Sequence, residues 1–569
     1  MTTRKMFIEI AKKNKFYVFV TILSGVLPIV NVYILQDFLN QVTSSGNESF
    51  GYLNNYVIKY FFLLILSFVC SKLLAYLNEI IQLNVGTELV EKIIISSSHL
   101  SLEEFEVSDY QNKIKRVVEN SLGSIVGNFS LIISMLSMSL SLAISIVYLS
   151  SWNTYVGIVL LIFPFVFYKQ YINIIKKSYS IEYQQTEKKK ENWYITFLLT
   201  QDNAFKENKV FNFLSYLIEI YKCNVESFKT DSKNMFKYDI VMSLLPEISG
   251  GMIVIVMMYY IFWKLGSGEI YLGSVVAIIQ LAYQVLENSK ALSSDIINYQ
   301  KNSMYVKELI EVLQYFKNNS QIDSDYRVSV LEFQNVDFCK GDKKILKNIS
   351  FSLNRNFYYI IGPNGSGKTT LLNVISGLYS ASSGNIVING QDSISSNVIN
   401  FRSSQLFQDF KRYEFSVLEN VILGNYSKKY DVELVEKLLI KLSLIDRIRK
   451  LDNGLNSILG SWFDKSENLS GGEWQKLAIA RTIFKEADIY LFDEPQSMLD
   501  TENSRRIIEF IRDYLDDKIV IVTTHKIELL SASDNVIFMK NGTVALIGQH
   551  ENLLKNAEYR EYVRSDKGC

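Results

Sequence analysis

Between residues 16 and 295 the chain alternates long apolar stretches with polar connections. Apolar runs at about 16–40, 56–80, 124–149, 153–173, 239–263 and 270–295 each reach the length needed to cross about 30 Å of hydrocarbon. They predict six membrane-spanning helices. The first is not a cleavable signal, because it is long, contains Pro28 and runs into Asp37 with no small-residue cleavage pattern. Beyond about residue 329 the pattern shortens. Apolar runs of strand length, Phe357 to Ile361 and Ile519 to Val522 among them, alternate with helical segments such as Thr370 to Ile375.

The basic residues orient the spans. Arg4, Lys5, Lys12, Lys13 and Lys15 precede the first, and the long connections 81–123 and 174–238 are rich in Lys and Arg. The alternate connections differ: Gln41 to Asn55 holds no Lys or Arg, 150–152 is a tight turn and 264–269 is short. Both termini and the long connections are therefore expected in the cytoplasm. Ile, Tyr, Leu and Phe spread among charges over 174–238 read as helices running well past the bilayer.

At 569 residues the chain is too long for one domain. Residues 1–318 are expected to form the transmembrane domain and 329–569 a nucleotide-binding domain, joined by a polar linker near 317–321. With 59 basic and 59 acidic residues, the charge balance implies no nucleic-acid partner. Cys70, Cys223, Cys339 and Cys569 lie in a span or in expected cytoplasmic portions, so no disulfide framework is expected.

Gly362, Pro363, Asn364, Gly365, Ser366, Gly367, Lys368 and Thr369 satisfy the phosphate-cradling pattern GxxxxGK[ST] between a strand and a helix that continues from Thr370. Glycines let backbone N–H groups close around phosphates at a helix N-terminus, and Lys368 adds a cation. Leu469-Ser470-Gly471-Gly472-Glu473 follows, then an apolar run ending in Asp493 and Glu494, then His525 after a further strand. This ordered set resembles the ATP-binding cassette (ABC) family, and the LSGG segment separates that family from kinases, helicases and GTPases.

The resemblance implies a fold and a set of roles. The fold is a membrane α-helical bundle of six transmembrane helices, of exporter type, fused to an α/β P-loop NTPase cassette. The cofactors are ATP and Mg²⁺. Thr369, Asp493 and Gln408 are the implied metal ligands, Glu494 polarises the attacking water, and His525 contacts the γ-phosphate. Ser470, Gly471 and Gly472 complete the cage around ATP held by another cassette. A second copy of the chain is thus the implied partner, with a heterodimer as the alternative. Coupling helices are expected around Leu102 to Glu106 and Ala204 to Phe211. Ser497 to Asp500 fits the family's D-loop.

Two positions depart from the family pattern. Lys340 stands where an aromatic residue usually stacks on adenine, and Trp474 follows Glu473 where many members have Gln-Arg-Gln. The tryptophan version resembles exporters of modified peptides, so ATP-driven export of a small modified peptide across the cytoplasmic membrane is the leading reading. Multidrug or lipid export is the alternative. An exporter-fold importer and a non-transporting membrane ATPase are the remaining rivals.

Polar groups in a span are costly and mark pathways. Glu247, beside Pro246 in the fifth span, and Gln280, Tyr283, Gln284 and Glu287 in the sixth are candidate cavity residues, with hydrogen bonding between helices as the alternative. Ser130, Ser134, Ser137, Ser141 and Ser145 form a stripe suited to close helix packing.

Overall fold

A computed structural model describes residues 3–44, 50–97, 102–106, 122–166, 184–200, 202–267, 270–315, 327–390, 402–426 and 431–566, with a few residues between 114 and 181. The expected linker near 317–321 lies outside the described residues. Chain packing divides the molecule into two units, Met1–Leu100 with Val107–Asn318, and Ser101–Glu106 with Asn319–Cys569.

The first unit is helical. Its long helices are Lys15–Ser44, Phe50–Ser97, Leu122–Trp152, Leu214–Gly266 and Leu272–Tyr315. Among the described residues, four helices are long and apolar enough to cross a membrane by length and composition, over Lys15–Thr43, Asn54–Ile95, Gly123–Trp152 and Leu214–Gly266. The runs at 153–173 and 270–295 fall short for different reasons. Helix Thr154–Val166 is strongly apolar but has 13 described residues, and residues 167–172 are outside the description. Helix Leu272–Tyr315 is long enough but interrupts its apolar run with Gln280, Gln284, Glu287 and Lys290.

Much apolar surface faces outward, including Phe61, Phe62, Phe68, Val147 and Ile255. Exposure of that kind suits a lipid environment. The serine stripe faces inward. Ser137 donates to the Thr21 carbonyl at 2.8 Å, Ser134 donates to Asp295 at 2.8 Å, and Asn288 donates to Ser141 at 3.0 Å. Small hydroxylated residues thus let neighbouring helices approach while satisfying polar groups.

The second unit holds two sheets. β1 (Val330–Lys340), β2 (Lys343–Asn354) and β4 (Ser383–Ile388) form an antiparallel sheet in the order β2-β1-β4. The central sheet has the order β5-β6-β7-β3-β8-β9, where β3 is Phe357–Ile361, β5 is Ser403–Leu406, β6 is Ile489–Asp493, β7 is Ile519–Thr523, β8 is Asn535–Lys540 and β9 is Thr543–Gln549. All its pairings are parallel except β8 with β9. Every residue of β6 and β7 is buried. That explains their continuous apolar sequence, since a parallel sheet is covered on both faces. β3, β6 and β7 are neighbours, so the segments leaving their carboxyl ends converge.

Candidate functional sites

The phosphate loop leaves β3 at Gly362, whose φ is +154°. A Cβ there would lie 2.2 Å from the Met539 carbonyl oxygen, so only glycine lets the loop press against β8. The loop ends at Gly367, which caps helix Lys368–Ile375. Within it, Ser366 Oγ is buried with no hydrogen-bond partner. An orphaned buried hydroxyl inside a phosphate-binding pattern fits a ligand that supplies acceptor oxygens. Lys368 Nζ donates to the carbonyls of Gly362 at 2.8 Å and Pro363 at 3.2 Å. Burial lowers its pKa, and the nearby Glu494 and Asp493 charges oppose that shift.

The two carboxylates at the end of β6 have separate environments. Asp493 is buried and accepts from Thr369 Oγ1 at 2.8 Å and Thr523 Oγ1 at 2.6 Å. Desolvation raises its pKa, and those hydroxyls work against the rise. Glu494 instead sits 2.8 Å from His525 Nε2 and accepts from Gln408 Nε2 at 3.2 Å. The His525 contact is the largest cause of its lowered pKa. The Glu494 backbone is left-handed, with φ +49°, and its N–H donates to Thr523 Oγ1 at 2.9 Å. A non-glycine residue in that region stores strain of about 1–3 kcal/mol, held here by β6 and Thr523.

A cavity of about 750 Å³ opens beside these residues, although Gly362, Pro363, Ser366 and Asp493 are not among its lining residues. It gathers Asn364, Gly365, Gly367, Lys368, Thr369, Thr370, Gln408, Glu494 and His525. Lys343, Lys344 and Lys347 of β2 also line it, and no motif had singled them out. The signal available was a cluster of three cations shortly after Lys340. Such a basic wall suits a polyphosphate.

Ser470, Gly471 and Gly472 do not line this cavity. Ser470 caps helix Gly471–Phe484 through a capping box with Glu473. Trp474 is buried and its Nε1 donates to Asn468 Oδ1 at 3.2 Å. Gln475 was not expected to matter. Its amide donates to the Glu494 carbonyl at 3.2 Å and to Ser497 Oγ at 3.0 Å, and accepts from Met498 N at 3.0 Å. The signature helix is thereby tied to the turn carrying the second carboxylate.

Lys340 is turned to a different partner. Its Nζ lies 2.5 Å from Glu106 Oε2 and 3.5 Å from the Tyr379 hydroxyl. Tyr379 also donates to Glu106 at 3.0 Å, and its ring stacks on Phe338 at 4.7 Å. The Glu106 carboxylate raises the Lys340 pKa. Helix Leu102–Glu106, the first expected coupling segment, is the element held there. Leu102 packs on the same apolar cluster as Phe338, and Glu103 accepts from Ser380 N at 3.2 Å. The second expected segment falls in helix Asp202–Phe211.

In the helical unit, a cavity of about 430 Å³ collects Glu247, Tyr283 and Glu287 with Lys290. Gln280 and Gln284 are not among its lining residues.

A helical bundle with membrane-length spans, on the same chain as a phosphate loop and a carboxylate pair, defines a membrane-embedded ATP-binding machine. The chain matches the ABC transporter family over residues 346–497. It is 30% identical over 544 residues to the Subtilin transport ATP-binding protein SpaT of Bacillus subtilis, covering 94% of this chain and 88% of that protein. It is 28% identical to the Nisin transport ATP-binding protein NisT of Lactococcus lactis subsp. lactis, covering 98% and 94%. The structure of a bacterial Atm1-family ABC exporter with ATP bound superposes with a TM-score of 0.80 at 18% identity, covering 98% of this chain and 99% of that one. That likeness shows the same fold. The chain belongs to the ABC transporter family. It is an exporter-type half-transporter, one membrane domain and one cassette, that couples ATP hydrolysis to export.

Proposed function

We propose that two copies of this chain form an exporter in the cytoplasmic membrane, with both termini in the cytoplasm, whose cargo is a small modified peptide. The observation that carries the cargo class is similarity along nearly the whole chain to proteins named for transport of subtilin and of nisin. Trp474 in the signature helix supports the same class.

The dimer rests on the composition of the nucleotide cavity. It holds Lys368, Thr369, Gln408, Glu494 and His525 but lacks Ser470, Gly471 and Gly472. In the proposed dimer one chain's Ser470, Gly471 and Gly472 close over ATP held by the other's Lys368. The donors for Mg²⁺ fit a hard cation: the Thr369 hydroxyl, a buried Asp493 carboxylate whose pKa burial raises, and the Gln408 side-chain oxygen. When bound, magnesium supplies neutralisation of the charge on the transferred phosphoryl group. Ser366 and Lys368 hold the phosphates, Glu494 orients the attacking water and draws off its proton, and His525 fixes the Glu494 carboxylate.

The test is reconstitution of the chain alone in proteoliposomes, with ATP-dependent movement of a panel of modified peptides, dyes and lipids followed directly. Movement of a peptide is the expected result. Movement of dyes or lipids with no peptide transported would overturn the cargo class, and a monomer with full ATPase activity would overturn the dimer.

A further inference from the structure

The cavity of about 430 Å³ in the helical unit is lined mainly by two helices, with Phe163 of helix Thr154–Val166 beside them. Helix Leu214–Gly266 supplies Pro246, Glu247, Gly250, Gly251 and Ile255, and helix Leu272–Tyr315 supplies Tyr283, Glu287 and Lys290. Tyr283, Glu287 and Lys290 recur at i, i+4 and i+7, so they stand on one face of their helix. Lys290 Nζ lies 2.6 Å from Glu247 Oε1 across the cavity, and each side chain keeps about half its surface exposed, 51% and 49%. Charges left half exposed at membrane depth cannot face lipid at acceptable cost, so this face lines a water-filled path or a bound polar group.

The charge count sets the ligand. Two carboxylates and one ammonium line the cavity, leaving an excess of one negative charge. Phe163, Val254, Ile255 and Leu286 give apolar walls, and Ser289 and Ser293 add two hydroxyls. A site of this size with apolar walls and few convergent charges takes an elongated side chain with a charged end. Gly251 leaves open space where a side chain would stand.

We propose that this cavity is a subsite for a cationic group of the cargo, an amine or guanidinium on an aliphatic stem. The incoming cation exchanges with Lys290 as the partner of Glu247 and is held on its other side by Glu287. In the resting protein Lys290 keeps Glu247 compensated, so the half-exposed carboxylate always has a counter-charge. The proposal rests on peptide export and adds what part of the peptide is read.

The probe is a fluorescent synthetic lysine–leucine peptide, compared with the same peptide acetylated on every lysine. Binding is measured by anisotropy to the full chain in nanodiscs of zwitterionic lipid, with empty nanodiscs subtracted. Acetylation is expected to weaken binding to the unmodified protein about tenfold or more, and Glu247→Gln with Glu287→Gln to weaken binding of the cationic peptide similarly. Lys290→Gln removes the competing ammonium and tightens it. The acetylation arm uses the unaltered protein, so it stands even where the double substitution does not fold. Equal binding of both peptides, or wild-type binding by the folded double variant, overturns the cation subsite and leaves peptide export standing. Binding of neither peptide overturns the subsite and the peptide reading together.

Discussion

Glu494 combines a strained backbone with a depressed pKa, and both follow from its surroundings. Its φ of +49° turns the side chain from the end of β6 toward His525 and Gln408. Glu494→Gln keeps that shape but removes the base, so ATP should still bind while hydrolysis falls about a hundredfold or more. Retained wild-type turnover in a phosphate-release assay would show that another group activates the water. His525→Ala tests the pKa separately. Glu494 acts as the carboxylate, and contact with His525 is the largest cause holding its pKa down. Without His525 that pKa rises, so the acidic limb of the kcat–pH profile moves to higher pH. An unmoved limb would place the titration elsewhere. These residues were legible in the sequence because motif spacing fixes them to strand ends. The three β2 lysines and Lys290 were not, because their importance arises from positions brought together across the chain.

Short elements show how contacts replace intrinsic stability. Helix Leu102–Glu106 has five residues, too few to hold a helix by itself. It is held instead by Leu102 on an apolar cluster, by Glu103 on Ser380 N, and by Glu106 on Lys340 and Tyr379. Lys340 thereby holds this expected coupling segment, at the position where the family pattern predicts an aromatic residue. Glu106→Gln removes one partly exposed ion pair, a loss of up to about 1 kcal/mol, or about fivefold in docking. Cargo moved per ATP hydrolysed should fall by that order in proteoliposomes; an unchanged ratio would mean that docking does not limit coupling. The signature helix shows the opposite case, a firmly packed element. Trp474→Ala deletes a buried indole and should cost about 3–5 kcal/mol of cassette stability, read as a lowered Tm. The sequence marked Trp474 as unusual, yet its bond to Asn468 and the Gln475 tie depend on tertiary packing that no local pattern encodes. The sixth expected span, read from the sequence at 270–295, falls short on apolar composition in the structure for a related reason. Gln280, Gln284, Glu287 and Lys290 lower its hydropathy, and of these Glu287 and Lys290 gather with Glu247.

At the scale of the whole molecule, the question is whether one chain can complete a hydrolytic site. Two separately inactivated variants decide it. Lys368→Ala removes the phosphate cradle's cation and leaves Ser470, Gly471 and Gly472 intact. Gly471→Asp places a carboxylate at the start of the signature helix, where it would face the nucleotide of a partner, and leaves Lys368 intact. Each variant alone should be inactive. In a mixed dimer, the cradle of the Gly471→Asp chain meets the intact signature of the Lys368→Ala chain, giving one complete site of two. Random pairing makes half of the dimers mixed, so co-assembled protein should recover roughly a quarter of wild-type turnover. If each chain completed its own site, both chains in the mixed dimer would remain defective and mixing would restore nothing. Purification through two different tags isolates the mixed dimer and removes dilution by inactive pairs. Its activity should then approach half of wild type where the two sites work independently. Recovery on mixing therefore follows from a site shared between two chains, and its absence would leave the cavity around Lys368 to be completed within a single chain.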